Sequence, residues 1–526
     1  MNSMFLAKRL MFTFAFGVSL LAVRATKAES TAESASLWVY PAYSGAVTST
    51  LYSVKANGTE VFTEKMTKFT GHMQVHYAHF SAADTVNVTV EVSEDFKSHI
   101  LHPESRKIAT KREGNTISFT SGPNYLILEL DDKELLFILI DSPEKNPPKL
   151  GDSNVKNIMD YGVDNQGNTL ETKKIQSAID AASGAEKNIL YFPPGKYLVG
   201  ELWLKSDMTV YLAGGAVLFG SANPADFNTG NGGVNIEGMQ HALIRILNCK
   251  NTKLIGRGVI DGNGRYLRSE RRFSAAVLKM DNSSEILVDG IISRDSSYWN
   301  TIPYRCSNIT IKNYKVINST PESSPNNTDG VNYTECVDCS LYNAFLYCGD
   351  DCMAVKNENA VYDGKPTMDI KNIVHEKVVT YSCVVGCKIG TKTEGKSMDN
   401  VVFRDIDVIK AGRALVIDAY DTALITNTVF ENIRIKDPGG QIIVIEGNKV
   451  PAWRRAVNQS IVKDTYFRNV SCEMEGLISL QGKDAEHNIT GVHFDNVTVA
   501  GKRLASQDDP AVKWTINEFV GNVTFK

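Results

Sequence analysis

The chain has 526 residues, 43% of them hydrophobic, with 56 Lys and Arg against 60 Asp and Glu. That length supplies ample core for two domains or one long solenoid. A net charge of −4 gives no cationic field for nucleic acid or an anionic membrane surface, so neither partner is expected.

At the N-terminus, Lys8 and Arg9 precede an apolar run from Leu10 to Val23, and small residues follow around Ala25 and Ala28. This is the layout of a secretory signal peptide over residues 1–28. The run is shorter than the ~20 residues of a spanning helix, and no later stretch qualifies. A secreted product without stable membrane insertion is expected.

Residues 37–145 alternate apolar and polar side chains in short segments at 37–40, 86–92, 116–119, 125–130 and 135–140. Period-2 segments with turn residues between them predict a small N-terminal β-sandwich, ended by a proline-rich break at 143–148. Its expected role is to cap the open end of the solenoid, since an uncovered strand edge invites aggregation; substrate binding is the alternative. One helix is predicted over 172–182, where Ile175, Ala178, Ile179 and Ala182 recur at helical spacing. It suits the N-terminal end of a solenoid.

The remainder, 150–526, repeats. Units reading Asn-Val-x-Phe-x-Asn-Ile recur, with phenylalanines at 403, 430, 467 and 494 spaced by 27, 37 and 27 residues. A single unit cannot bury its own apolar face, so the units must stack. Extended units this short favour a β-helix over a propeller, whose blades take roughly 40–50 residues. The fold class is therefore all-β: a parallel β-helix behind a small sandwich.

Three aspartates stand out within it. Asp329 lies in Asn-Asn-Thr-Asp-Gly, and Asp350 with Asp351 in Cys-Gly-Asp-Asp-Cys. The 21-residue interval is one solenoid coil, which sets the carboxylates side by side across strands about 4.8 Å apart. Carboxylates that close cannot all ionise freely, so one pKa is expected to rise. A raised acid beside ionised carboxylates is the equipment of a glycoside hydrolase. Solvated turn ladders would explain one such aspartate, but three framed by glycines favour catalysis. Consecutive residues on a regular strand face opposite ways, so Asp350 and Asp351 share a cleft only where the chain bends, as Gly349 permits.

Nine cysteines lie between Cys249 and Cys472. Disulfides suit a secreted chain and Cys336-x-x-Cys339 could join a zinc site, but with few histidines nearby, core thiols stacked between coils are the expectation and no metal is assigned. Twelve Asn-X-Ser/Thr sequons are present. Solenoids are rich in Asn and Thr, so many are expected to be unused. A glycan on Asn326 would obstruct the cleft beside Asp329, so that asparagine is expected bare.

Several stretches together resemble the polygalacturonase family of right-handed parallel β-helix hydrolases. They are Asn327-Thr328-Asp329-Gly330, Gly349-Asp350-Asp351-Cys352 with Lys356 just beyond, Asp160-Tyr161-Gly162, Tyr191-Phe192-Pro193-Pro194-Gly195, Gly256-Arg257-Gly258 and the run around Trp299. The resemblance covers roughly residues 155–500. It implies inverting hydrolysis of a polysaccharide without a cofactor. Asp350 would be the general acid, while Asp329 and Asp351 would hold and deprotonate the attacking water. Asn327, Lys356, Lys388, Arg413 and Trp299 are the candidate substrate-binding residues. The family's His-Gly pair is replaced by Val384-Val385-Gly386, and of its later basic pair only Arg413 remains. A sandwich before a β-helix is also similar to the dextranase and isopullulanase family, which keeps neutral glucans open as substrates. A polysaccharide lyase using calcium on the aspartates and a non-catalytic carbohydrate-binding protein are the alternatives. The chain is expected to act as a monomer.

Overall fold

The computed structural model describes residues 36–66, 74–227, 241–318, 327–358, 367–382, 384–452 and 456–526. The leader segment, Asn326 and Cys383 lie outside them. Among the described residues, two long sheets run the length of a right-handed parallel β-helix. One has nineteen strands, from Val155–Asn157 to Val520–Phe525; the other has eleven, from Leu202–Leu204 to Val512–Ile516. No helix among these residues is long and apolar enough to cross a membrane.

The coils turn where asparagine accepts a left-handed backbone. Strands Val337–Cys348, Leu424–Asp437, Ile461–Cys472 and Ile489–Val499 each bend midway, at Asn343, Asn432, Asn469 and Asn496, all with φ near +50°. Their amides form ladders: Asn496 Nδ2 donates to Asn469 at 2.9 Å and Asn469 Nδ2 to Asn432 at 3.0 Å. Two of the sequon asparagines are therefore corner residues of the solenoid.

The recurring phenylalanines stack inside it. Phe403, Phe430, Phe467 and Phe494 occupy matched register on successive coils, with centroids 5.0–5.3 Å apart. His375 extends the stack at one end and Phe525 at the other. Aromatic pairs contribute roughly 0.5–1.5 kcal/mol each beyond area burial. Phe430→Leu keeps apolar bulk but interrupts two pairs, so it should cost about 1–2 kcal/mol in denaturant midpoint analysis.

The predicted helix forms over Thr172–Ala182 (α1), and Ile175, Ala178, Ile179 and Ala182 enter the main core beside the first coils. A second helix, Gly264–Arg271 (α2), was not foreseen. Apart from Tyr266 and Leu267 it is glycine and polar residues, so it carries no apolar period. The eight cysteines within the described residues are all buried in the main core.

The sandwich forms as expected from two facing sheets within Leu37–Asp141, but it does not cap an end. Tyr77, Ile127, Phe137 and Leu139 on one of its faces pack with Val217, Val259, Ile292, Phe345 and Val379 from successive coils. It covers the flank of the β-helix. The reason is apolar: each of these coils turns a large side chain outward at the same place, making a stripe that water would otherwise wet, while α1 already covers the first coil. Buried ion pairs fix the contact. Arg294 reaches Glu64 at 2.9 Å and Asp261 at 2.7 Å, and Lys315 donates to Asp141 at 2.6 Å.

Candidate active site

Strands Val331–Thr334, Met353–Asn357, Val385–Thr393 and Arg413–Asp418 lie side by side in the eleven-stranded sheet. Side chains alternate along them. Tyr333, Val355, Ile389 and Ile417 enter the core, which leaves Asn332, Lys356, Lys388 and Asp418 on the outer face. The aspartates arrive from the turns that feed these strands. Asp329 precedes Val331, and Asp350 and Asp351 lie in the bend between Val337–Cys348 and Met353–Asn357, outside regular strand. Because both occupy the bend, neighbouring residues can face one cavity.

Stacked coils hold the turns in place. The Asn300 N–H donates to the Asp329 carbonyl at 2.9 Å, and the Gly330 N–H to that of Asp351 at 2.8 Å. Only glycine fits at 330, since a Cβ there would stand 2.3 Å from the Cys352 carbonyl oxygen. Buried Asn318 donates to the carbonyls of Thr328 and Asp329 at 3.0 and 3.1 Å. Asn332 donates to Asp329 Oδ2 at 2.9 Å. Both sequon asparagines are thus committed to the site.

The three aspartates each bring a carboxylate oxygen within 4.8 Å of the others. Burial, then repulsion from Asp329 and Asp351, pushes Asp350 up to about 8. Burial raises Asp329 to about 6 against the pull of Lys356. For Asp351 burial acts upward too, but the Lys388 and Lys356 ammoniums outweigh it and hold the carboxyl below its ordinary range. Lys388 donates to Asp351 Oδ2 at 2.9 Å, and Lys356 to Asp329 Oδ2 at 3.1 Å. The Oδ1 atoms of Asp329 and Asp351 are buried and have no hydrogen-bond partner among the described residues. A divalent cation on this trio would meet two ammoniums already paired with its ligands, which weighs against a calcium-dependent site.

A cavity of about 430 Å³ opens over the group. All eight residues singled out from the sequence line it: Trp299, Asn327, Asp329, Asp350, Asp351, Lys356, Lys388 and Arg413. Trp299 is 3% exposed and packs against Ala276 and Tyr304, with Lys356 Nζ 3.6 Å from its ring centroid. Asn327 accepts from Arg268 of α2 at 3.1 Å. Sequence reasoning missed Asp418, Tyr420, Thr391, Val384 and Pro451, which also line the cavity. Asp418 could have been found as an acidic residue five positions past Arg413 at a strand end, but its alignment over Lys388 depends on coil length.

The fold and the site together define a class: a parallel β-helix protein with a buried, protonatable acid set beside ionised carboxylates. The model of the glycosyl hydrolases family 28 matches residues 183–514, and the chain belongs to that family. It is 29% identical over 262 residues to a probable polygalacturonase of Vitis vinifera, a match covering 46% of this chain and 52% of the relative. The chain spans about half the length of several of the curated relatives it matches. Among solved structures, the family 28 exopolygalacturonase of Yersinia enterocolitica superposes with a TM-score of 0.57 at 16% identity, covering 88% of this chain and 98% of that one. Dex49A from Penicillium minioluteum gives 0.56 at 13% identity, over 93% and 96%. At those identities the likeness is one of fold, sandwich and β-helix together.

Proposed function

We propose that this protein hydrolyses O-glycosidic bonds of a polysaccharide with inversion of the anomeric carbon. Asp350 is the general acid, and the Oδ1 atoms of Asp329 and Asp351 hold and deprotonate the attacking water. The observation that carries the reading is the division of charge within one trio: Asp350 keeps its proton to about 8, while Asp351 is held ionised by Lys388. Family membership supports the same reaction class. The leader-like N-terminus supports action outside the cell.

The stereochemistry needs its own argument. Oxygens within 4.8 Å are nearer the roughly 5–5.5 Å spacing of retaining enzymes than the roughly 6.5–9.5 Å of inverting ones. Against a covalent nucleophile, Oδ2 of Asp351 is tied to Lys388, and Oδ2 of Asp329 to Lys356 and Asn332. The remaining oxygens come from two carboxylates, an arrangement suited to gripping one water between them. Proton NMR of the first-formed product should show the inverted anomer; retention would make one aspartate a nucleophile.

The pH dependence follows from the same groups. The acid must be protonated, so kcat/KM should fall as pH rises through about 8. The base must be ionised, so kcat/KM should fall as pH drops through about 6. A bell between those limits is the expected profile of wild-type protein on whichever polysaccharide of a polygalacturonate, dextran and pullulan panel it cleaves. A profile that keeps rising into alkali would remove Asp350 from the acid role.

A further inference from the structure

The charged groups of the cavity form an alternating row across four coils. Lys356 stands 3.1 Å from Asp329 and 3.9 Å from Asp351; Lys388 stands 2.9 Å from Asp351 and 3.8 Å from Asp418; Arg413 closes the row on Asp418. That last contact is two-pronged. Arg413 Nη1 and Nη2 donate to the two Asp418 oxygens at 3.0 and 3.1 Å, and the Tyr420 hydroxyl donates to Oδ1 at 3.2 Å. Asp418 is 1% exposed. Three carboxylates thus alternate with three cations, and every lysine and arginine among the described lining residues is committed to a carboxylate.

We propose that Asp418 is a specificity-determining residue: by occupying the Arg413 fork it fits the cavity to a glycosyl residue without a free carboxylate. This deepens the hydrolase reading and rests on it. A guanidinium fork is the group best shaped to receive a carboxylate, and here the chain supplies that carboxylate itself. A uronate entering the row would add an anion beside Asp418 and Asp351 and would have to displace Asp418 from Arg413. Like charges brought together in a desolvated site cost several kcal/mol. An uncharged sugar meets the same row as a series of hydrogen-bond donors and acceptors for its hydroxyls, with no charge to compensate. Neutral hexosyl units and esterified uronosyl units both satisfy this chemistry.

The test uses full-length Asp350→Asn protein, so that binding is read without turnover. Calorimetry compares trigalacturonate, its methyl ester and isomaltotriose. At least one uncharged trimer should bind about tenfold or more tighter than trigalacturonate. Preference for the ester identifies an esterified uronan, and preference for isomaltotriose a neutral glucan. Adding Asp418→Asn, which keeps the side-chain shape and frees the Arg413 charge, should shift the ratio about tenfold towards trigalacturonate. Tightest binding of trigalacturonate, binding of none of the three, or an unshifted ratio in the double variant would each overturn the proposal. The first comparison needs no change at 418, so misfolding of that variant leaves it decisive. Uncharged sugars that bind but are not cleaved by wild-type protein would instead defeat the hydrolase reading and leave the specificity statement standing.

Discussion

Asp350→Asn is expected to lower kcat by a factor of about 10²–10⁴, the usual worth of a positioned general acid, with little change in folding. The substitution is nearly isosteric. Asp350 Oδ1 accepts the Asp351 N–H at 2.9 Å, a bond that the amide oxygen of asparagine can keep. The Ser382 hydroxyl holds the backbone carbonyl of residue 350, which the change does not touch. What disappears is the proton that Asp350 retains through burial and the repulsion of its two neighbours. The loss should therefore depend on the leaving group. A substrate with an activated aryl aglycone needs little protonation and should recover much of the rate, while the polysaccharide should not. The alkaline limb of the pH profile should vanish from the residual activity. An unchanged rate on the polysaccharide would end the assignment.

The second large effect is on stability. Arg294→Met should cost about 3–5 kcal/mol, the usual consequence of breaking a buried ion pair from one side. Arg294 is buried at the seam between sandwich and β-helix, where it contacts Glu64, Asp261 and the hydroxyls of Tyr77 and Tyr43 at 2.6–2.9 Å. Methionine fills much of the volume but leaves two carboxylates buried without their cation. Denaturant midpoints of the two proteins at pH 7 measure the loss. A loss under about 1 kcal/mol at pH 7 would show that apolar contacts alone hold the seam.

The aspartate trio was legible in the sequence because a solenoid converts sequence interval into lateral distance: 21 residues from Asp329 to Asp350 make one coil. The phenylalanine stack was legible for the same reason. Helix α1 was legible because one apolar face is enough to declare a helix. Helix α2 was not, since it buries only Gly264 and Leu267 and is held by contacts such as Arg268 with the Ser297 carbonyl.

The sequence by itself determined the coil repeat, the all-β class, the sandwich and eight of the residues that line the cavity. All of these depend on local alternation or on motifs read within one or two coils. Only the tertiary structure decided where the sandwich sits, because a stripe made of one outward residue per coil becomes a surface only when the coils are stacked. The partner of each charge was decided in the same way. Asp351 meets Lys388 across 37 residues and Asp329 meets Lys356 across 27. Loops of unequal length separate the coils, so register is set by the packing of the core, and with it the placing of Asp418 against Arg413 and Lys388.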